Sequence, residues 1–423
     1  MFVALAMLVG NLITAPSASA ATPLTALPRQ TYDKFRLKTT DAVWADLKNA
    51  VAAVERTKTV TKVSPLSVAQ SAQHRGSPDP CHPTKLNSRY IPDGFCWDRT
   101  DDTTSNYDSE QGGWMPQGLT ASHDATPGGT YNGHHLYLAS WFHGVDGSKD
   151  EYARVSIVEN NNRTVSYGHV FLVTPTDNGS FMPTPNIHAD GMVWYGKRLF
   201  VANGGELLVY DMRHLWKVNT ISGEVGVKGA SSSARWHQWA MPLIGRYWTG
   251  TADANPRKCT PGTGEVVCLS SLSLDRQGAK TDTLVSGEFR TDKAGGRIIR
   301  WPLNAAMALP RADDGSQIGS TKAWSAYTTP VWSMQGVAAD GNGRFYMAGR
   351  CPDGWSDVPA SSPLAYSCIH YAKPGDEPHV FTMAPRLTQN LSWAPQWGRL
   401  WGLNESINPS SGDRVVFSID VSP

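Results

Sequence analysis

Glu288 and Glu405 stand just after two short apolar runs, Thr283-Leu284-Val285-Ser286-Gly287 and Arg399-Leu400-Trp401-Gly402-Leu403. Two carboxylates facing each other across a sugar are what cleavage of a glycosidic bond requires. One protonates the leaving oxygen, and the other acts as base or nucleophile. His188 lies two residues before Asp190. In an extended strand such residues share a face, so imidazole and carboxylate can meet one ligand together. Glu288, Glu405 and His188 are therefore the candidate catalytic residues. The competing fate of the two glutamates is a structural salt bridge.

Seven further residues form the candidate ligand-binding set: Gln117, Trp141, Asn203, Arg290, Gln335, Arg350 and Asn390. They bring hydrogen-bond donors, acceptors, two guanidiniums and an aromatic face. A polyhydroxylated ligand calls for that mixture, because its hydroxyls need paired partners while its apolar faces stack on rings. The plainer reading of Gln117, Gln335 and Asn390 is that their amides satisfy backbone groups. One His and one Asp are too few for a metal site. No HExxH, P-loop, EF-hand loop or GxSxG elbow occurs, so no metal and no cofactor are expected. His123-Asp124 and His134-His135 are expected on the opposite side, in solvent.

What would gather these residues is a repeat. His135-Leu136-Tyr137-Leu138-Ala139, Arg198-Leu199-Phe200-Val201-Ala202 and Arg344-Phe345-Tyr346-Met347-Ala348 match the two runs above. Each of the five follows a polar-then-apolar strand, as in Gln117-Gly118-Leu119-Thr120 and Gln335-Gly336-Val337-Ala338. Sheets of about four strands recurring every 55 to 85 residues or so indicate an all-β β-propeller. The expected count is five blades, with 212–268 the one stretch long enough to hide a sixth. The first strand of each blade lines the axis and the second runs antiparallel to it. First-strand starts and second-strand ends then share one mouth, where the polar set falls. The last blade lacks an obvious fourth strand, which a piece of residues 85–112 is expected to supply.

Three domains follow: a signal peptide over 1–20, an N-terminal helix and linker over 21–95, and the propeller over 96–423. Phe2 to Ile13 is almost wholly apolar, and Ala18-Ser19-Ala20 is a small-residue cleavage pattern. Tyr32, Phe35, Val43, Leu47, Val51 and Val54 recur at near-helical spacing, so Thr40 to Arg56 reads as an amphipathic helix across one end of the propeller. Six cysteines fall into local pairs, Cys81 with Cys96, Cys259 with Cys268 and Cys351 with Cys368, and suit disulfides in an oxidising compartment. A net charge of +1 gives no reason to expect a nucleic-acid partner, and no later segment is apolar enough to span a membrane.

Trp114 to Thr120, His188 to Gly196 and Arg300-Trp301-Pro302-Leu303 resemble a family of secreted actinobacterial β-propeller proteins, over roughly residues 90 to 421. The resemblance implies the fold and export, and it carries no catalytic residues. The expectation is a secreted, extracellular protein that binds a glycan, cell-envelope component or other small polar ligand in its mouth. The alternative is a glycoside hydrolase or lyase working on the same ligand class.

Overall fold

A computed structural model describes residues 22–86, 91–103, 113–144, 152–250, 259–276, 281–292, 294–355, 365–406, 408 and 410–421. The expected signal peptide lies outside them. Five four-stranded antiparallel units follow one another along the chain, the first two joined into one larger sheet by parallel pairing of Trp239–Pro242 with Val170–Val173. The first has Trp114–Ala121, Leu136–His143, Tyr152–Asn160 and Val165–Pro175. The second has Gly191–Tyr195, Arg198–Asn203, Glu206–Asp211 and Trp239–Trp248. The third has Ser273–Asp275, Thr283–Gly287, Arg297–Asn304 and Ser325–Thr328, edged by Thr25–Ala26. The fourth has Gly336–Ala339, Phe345–Arg350, Ser367–Ala372 and His379–Ala384. The fifth has Thr388–Ala394, Arg399–Asn404 and Val415–Asp420, and its last strand is Asp93–Cys96, with Val415 opposite Cys96.

The first strands of successive sheets abut in order, and the fifth returns to the first. The result is a mostly-β, propeller-like ring. The stretch 212–268 holds a short strand, a hairpin of Val225–Lys228 with Ser231–Ala234, and the outer strand of sheet two. Among the described residues it contains no sixth four-stranded sheet.

The strands read as apolar runs because both faces are buried. In Glu206–Asp211, Leu207 and Val209 enter one core cluster while Leu208 and Tyr210 enter another, which fills the space between sheets one and two. Burial of each such side chain stabilises the fold by about 1.5–3 kcal/mol. Around the axis the backbones come closer than side chains would permit. A Cβ on Gly191 would lie 2.2 Å from the Leu272 nitrogen, and one on Gly336 would lie 2.4 Å from the Gln389 carbonyl oxygen.

The helix expected over Thr40 to Arg56 is Asp41–Arg56. It lies against the outermost strand of sheet two rather than across one end of the ring. Trp44 is the reason: its indole covers Gly245 and meets the Tyr247 ring edge-on at 5.7 Å. All three local cysteine pairs are disulfides. Among the described residues no helix is long and apolar enough to cross a membrane.

Candidate functional site

Gln117, His188 and Glu405 converge at one corner of the mouth, from sheets one, two and five. The Gln117 amide, on the first strand of sheet one, donates to the Glu405 carboxyl just past the second strand of sheet five. His188 Nδ1 lies 2.7 Å from Asp190 Oδ1. Their meeting does not come from strand alternation, because the strand begins only at Gly191. Ala189 between them has φ 58°, a left-handed backbone that costs energy for any residue with a Cβ. Asn203 holds the kink, since its Oδ1 accepts from the His188 backbone N–H at 2.9 Å and its Nδ2 donates to the Asn186 carbonyl. The Phe142 ring covers the imidazole at 4.0 Å between centroids.

This corner is electrostatically unsettled. Burial pushes the Glu405 carboxyl above the ordinary range, and the Gln117 donor and the charges of His188 and Arg414 offset that only in part. His188 is pulled down by burial but held up more strongly by Asp190 and Glu405, so it keeps its proton to higher pH than a free histidine. An acid that resists ionisation beside a charged imidazole and a carboxylate can donate to and accept from ligand hydroxyls in one place.

Glu288 lies elsewhere and is fully occupied. Arg297 grips it in a bidentate pair, with Nε to Oε2 at 2.6 Å and Nη2 to Oε1 at 2.7 Å. The backbone N–H groups of Gly262 and Cys268 donate to the same two oxygens. With no exposed surface and every oxygen engaged, Glu288 anchors the loop closed by Cys259 and Cys268 and is unavailable as an acid or base. The expectation of a catalytic pair across the mouth is corrected on this point.

The other candidates divide. Trp141 is not a stacking platform: it is fully buried, donates to Ser156 Oγ at 2.7 Å and packs edge-on against Trp97. Asn390 forms the floor of the mouth. Its amide donates to the carbonyls of Leu119 and Leu272 while its oxygen accepts from the Leu272 N–H, tying the first strands of sheets one, three and five. Arg290 pairs with Asp292, Arg350 lies over the Trp332 ring at 4.7 Å, and Gln335 donates its backbone N–H to Ala348. These three belong to the sheet-three and sheet-four side, away from His188.

His123 and Asp124 overturn another expectation, because both are buried rather than solvated. His123 Nε2 lies 2.7 Å from Ser392 Oγ, which donates to Asp124 Oδ2 at 2.9 Å. Burial raises the Asp124 carboxyl to about 7 and lowers His135, which reaches His123 at 3.2 Å, to about 4. Sequence reading misses this because Ser392 is one of four polar residues in Thr388–Ala394, and its partners lie 269 and 268 residues away along the chain.

No family model matches the chain and no curated protein matches it. Among solved structures it is similar to Pseudomonas fluorescens PhoX in complex with vanadate, a transition state analogue, with a TM-score of 0.36 and 10% identity over 86% of this chain and 95% of that one. So distant a likeness carries nothing about the site.

Proposed function

We propose that this chain is a secreted, extracellular five-bladed β-propeller, of the actinobacterial kind it resembles, that holds a glycan or another polyhydroxylated cell-envelope component in its mouth. The convergence of Gln117, His188, Asp190 and Glu405 carries this reading. It offers an amide, an imidazole and two carboxyls, and among the described residues no arginine is clamped onto either acid as Arg297 is onto Glu288. Polar groups of that variety on a rigid ring suit hydroxyl recognition. Three disulfides favour an oxidising compartment, in keeping with export.

A second reading is favoured by one observation, the raised pKa of Glu405. A carboxylic acid that holds its proton to higher pH than usual is suited to act as a general acid, with Asp190 or the His188–Asp190 pair taking the part of base. On that reading the protein is a glycoside hydrolase or lyase of the same ligand class. Incubation of the mature protein with bacterial envelope polysaccharides separates the two. Retention on the polysaccharide without fragments, lost in His188→Ala, supports binding. New fragments by mass spectrometry that vanish in Glu405→Gln support catalysis. Neither retention nor fragments removes both.

A further inference from the structure

A second polar cluster lies away from the mouth, at the outer edge of sheet one, where a strap from the N-terminal part of the chain, carrying His74–Gly76, Asp93–Cys96 and Arg99–Thr103, crosses it. His74 comes from the short strand His74–Gly76, which pairs with Val165–Pro175, the strand that carries His169. Asp98 and Asp101 come from the turn into the helix Arg99–Thr103. We propose that His74, His169, Asp101 and Asp98 bind one divalent transition-metal ion of the zinc type, which staples the strap to the ring.

The donor atoms are already gathered. One ligand atom each from His74, Asp101 and His169 lies within 4.8 Å of the others. His169 Nε2 is 3.0 Å from Asp101 Oδ2, and His74 Nδ1 is 3.6 Å from the same oxygen and 2.6 Å from Asp98 Oδ2. Around a tetrahedral zinc with bonds of about 2.0–2.1 Å, neighbouring donors stand about 3.3 Å apart, so small shifts among His74, Asp101 and His169 make room for the ion, and Asp98, placed against His74, swings inward as the fourth ligand. Two imidazoles with two carboxylates suit zinc and its neighbours rather than magnesium or calcium, which take oxygen ligands.

The surroundings are those of a supported site. Ser156 Oγ meets the remaining nitrogen of His169 at 2.9 Å and is itself fixed by the Trp141 indole. Arg154 holds Asp101 Oδ1 at 2.5 Å, the Tyr167 hydroxyl donates to Oδ2 at 2.7 Å, and the Tyr167 ring stacks on His74. Such outer partners orient ligands before the ion arrives. Asp101 and His169 are buried, while His74 and Asp98 keep partial exposure and leave a way in. The rival group Cys81, His82 and Cys96 is ruled out because its two sulfurs are joined to each other.

The strap held here also carries the Cys81–Cys96 disulfide and Asp93–Cys96, the strand that completes sheet five. An ion at this point therefore fastens the closure of the ring. The test uses the full mature chain. It is stripped with EDTA, titrated with Zn2+, and titrated separately with Co2+ while visible absorption is recorded. Expected are one ion per chain, the intense Co2+ bands of a four-coordinate site, and a melting temperature that falls on stripping and recovers with Zn2+. Ser156→Ala should weaken Zn2+ binding about 10- to 100-fold, and His74→Ala, at a partly exposed position, should abolish the stoichiometric site in a chain that still folds. No stoichiometric uptake by the wild type and a melting temperature indifferent to EDTA would overturn the proposal, leaving a network satisfied by its own hydrogen bonds. Uptake that survives both His74→Ala and His169→Gln would overturn it equally.

Discussion

Glu288 and Glu405 occupy the same place in two copies of one repeat, just past the second strand of sheets three and five, and they have opposite fates. In sheet three the next strand begins with Arg297, whose carbonyl accepts from the Glu288 N–H and whose guanidinium neutralises its carboxylate. Sheet five has an arginine in the matching place too: Arg414 directly precedes its third strand. Its guanidinium is drawn off, however, to the carbonyls of Asp101 and Ser406 and to the Met115 sulfur. The helix Arg99–Thr103, which follows the closing strand, takes the arginine and leaves Glu405 to Gln117 and His188. One corner of the mouth is thus welded by an arginine and the other is left to Gln117 and His188, and ring closure makes the difference.

The largest effect should come from the welded corner. Arg297→Met leaves a buried carboxylate without its counter-charge, and loss of one partner from such a pair costs about 3–5 kcal/mol. Chemical denaturation should show that loss; a change under 1 kcal/mol would mean the pair is not what holds the loop.

Glu405 should behave in the opposite sense. Because folding raises its pKa, the ionised form is penalised in the native state, and Glu405→Gln should match or exceed wild-type stability by about 0.5–2 kcal/mol near neutral pH. The sign follows from linkage. Below the unfolded value of about 4.5 both states are protonated and the substitution changes little. As pH rises through the elevated folded value, the wild type loses stability relative to the variant. Denaturation curves across this range measure the difference, and a variant that is less stable at every pH would break the contrast.

A smaller, local effect concerns His188. With Asp190 present its pKa is raised; in Asp190→Asn the strongest opposing charge is gone, burial acts with less opposition, and the imidazole should titrate lower than in the wild type. NMR titration of the ring protons reads this, and an unchanged midpoint would show that Asp190 does not set the charge of the corner.

Much of this was legible in the sequence. The five hairpins fix the strand pairs, local spacing marks the disulfides, and the want of a fourth strand at the end of the chain points to a donor among residues 85–112. Gln117, His188 and Glu405 could be gathered by repeat geometry alone. The remainder was not, because it depends on contacts remote in sequence. Nothing near Glu288 or Glu405 tells which arginine is diverted, since the answer lies in Asp101, 313 residues from Arg414 along the chain. Trp141 looked available because its strand ends at the mouth, yet alternation turns the ring into the core. His123 and Asp124 looked solvated because they follow a strand, yet Ser392 from the last sheet closes over them.

The most direct measurement is retention on immobilised bacterial envelope polysaccharide, with products analysed by mass spectrometry, for wild type, Glu405→Gln and Glu288→Gln at a temperature where all three are folded. If the Glu405 corner is the site, Glu405→Gln loses retention or product formation while Glu288→Gln keeps whatever the wild type has. Loss in Glu288→Gln with Glu405→Gln unaffected would place the function at the welded corner and contradict the contrast drawn between them.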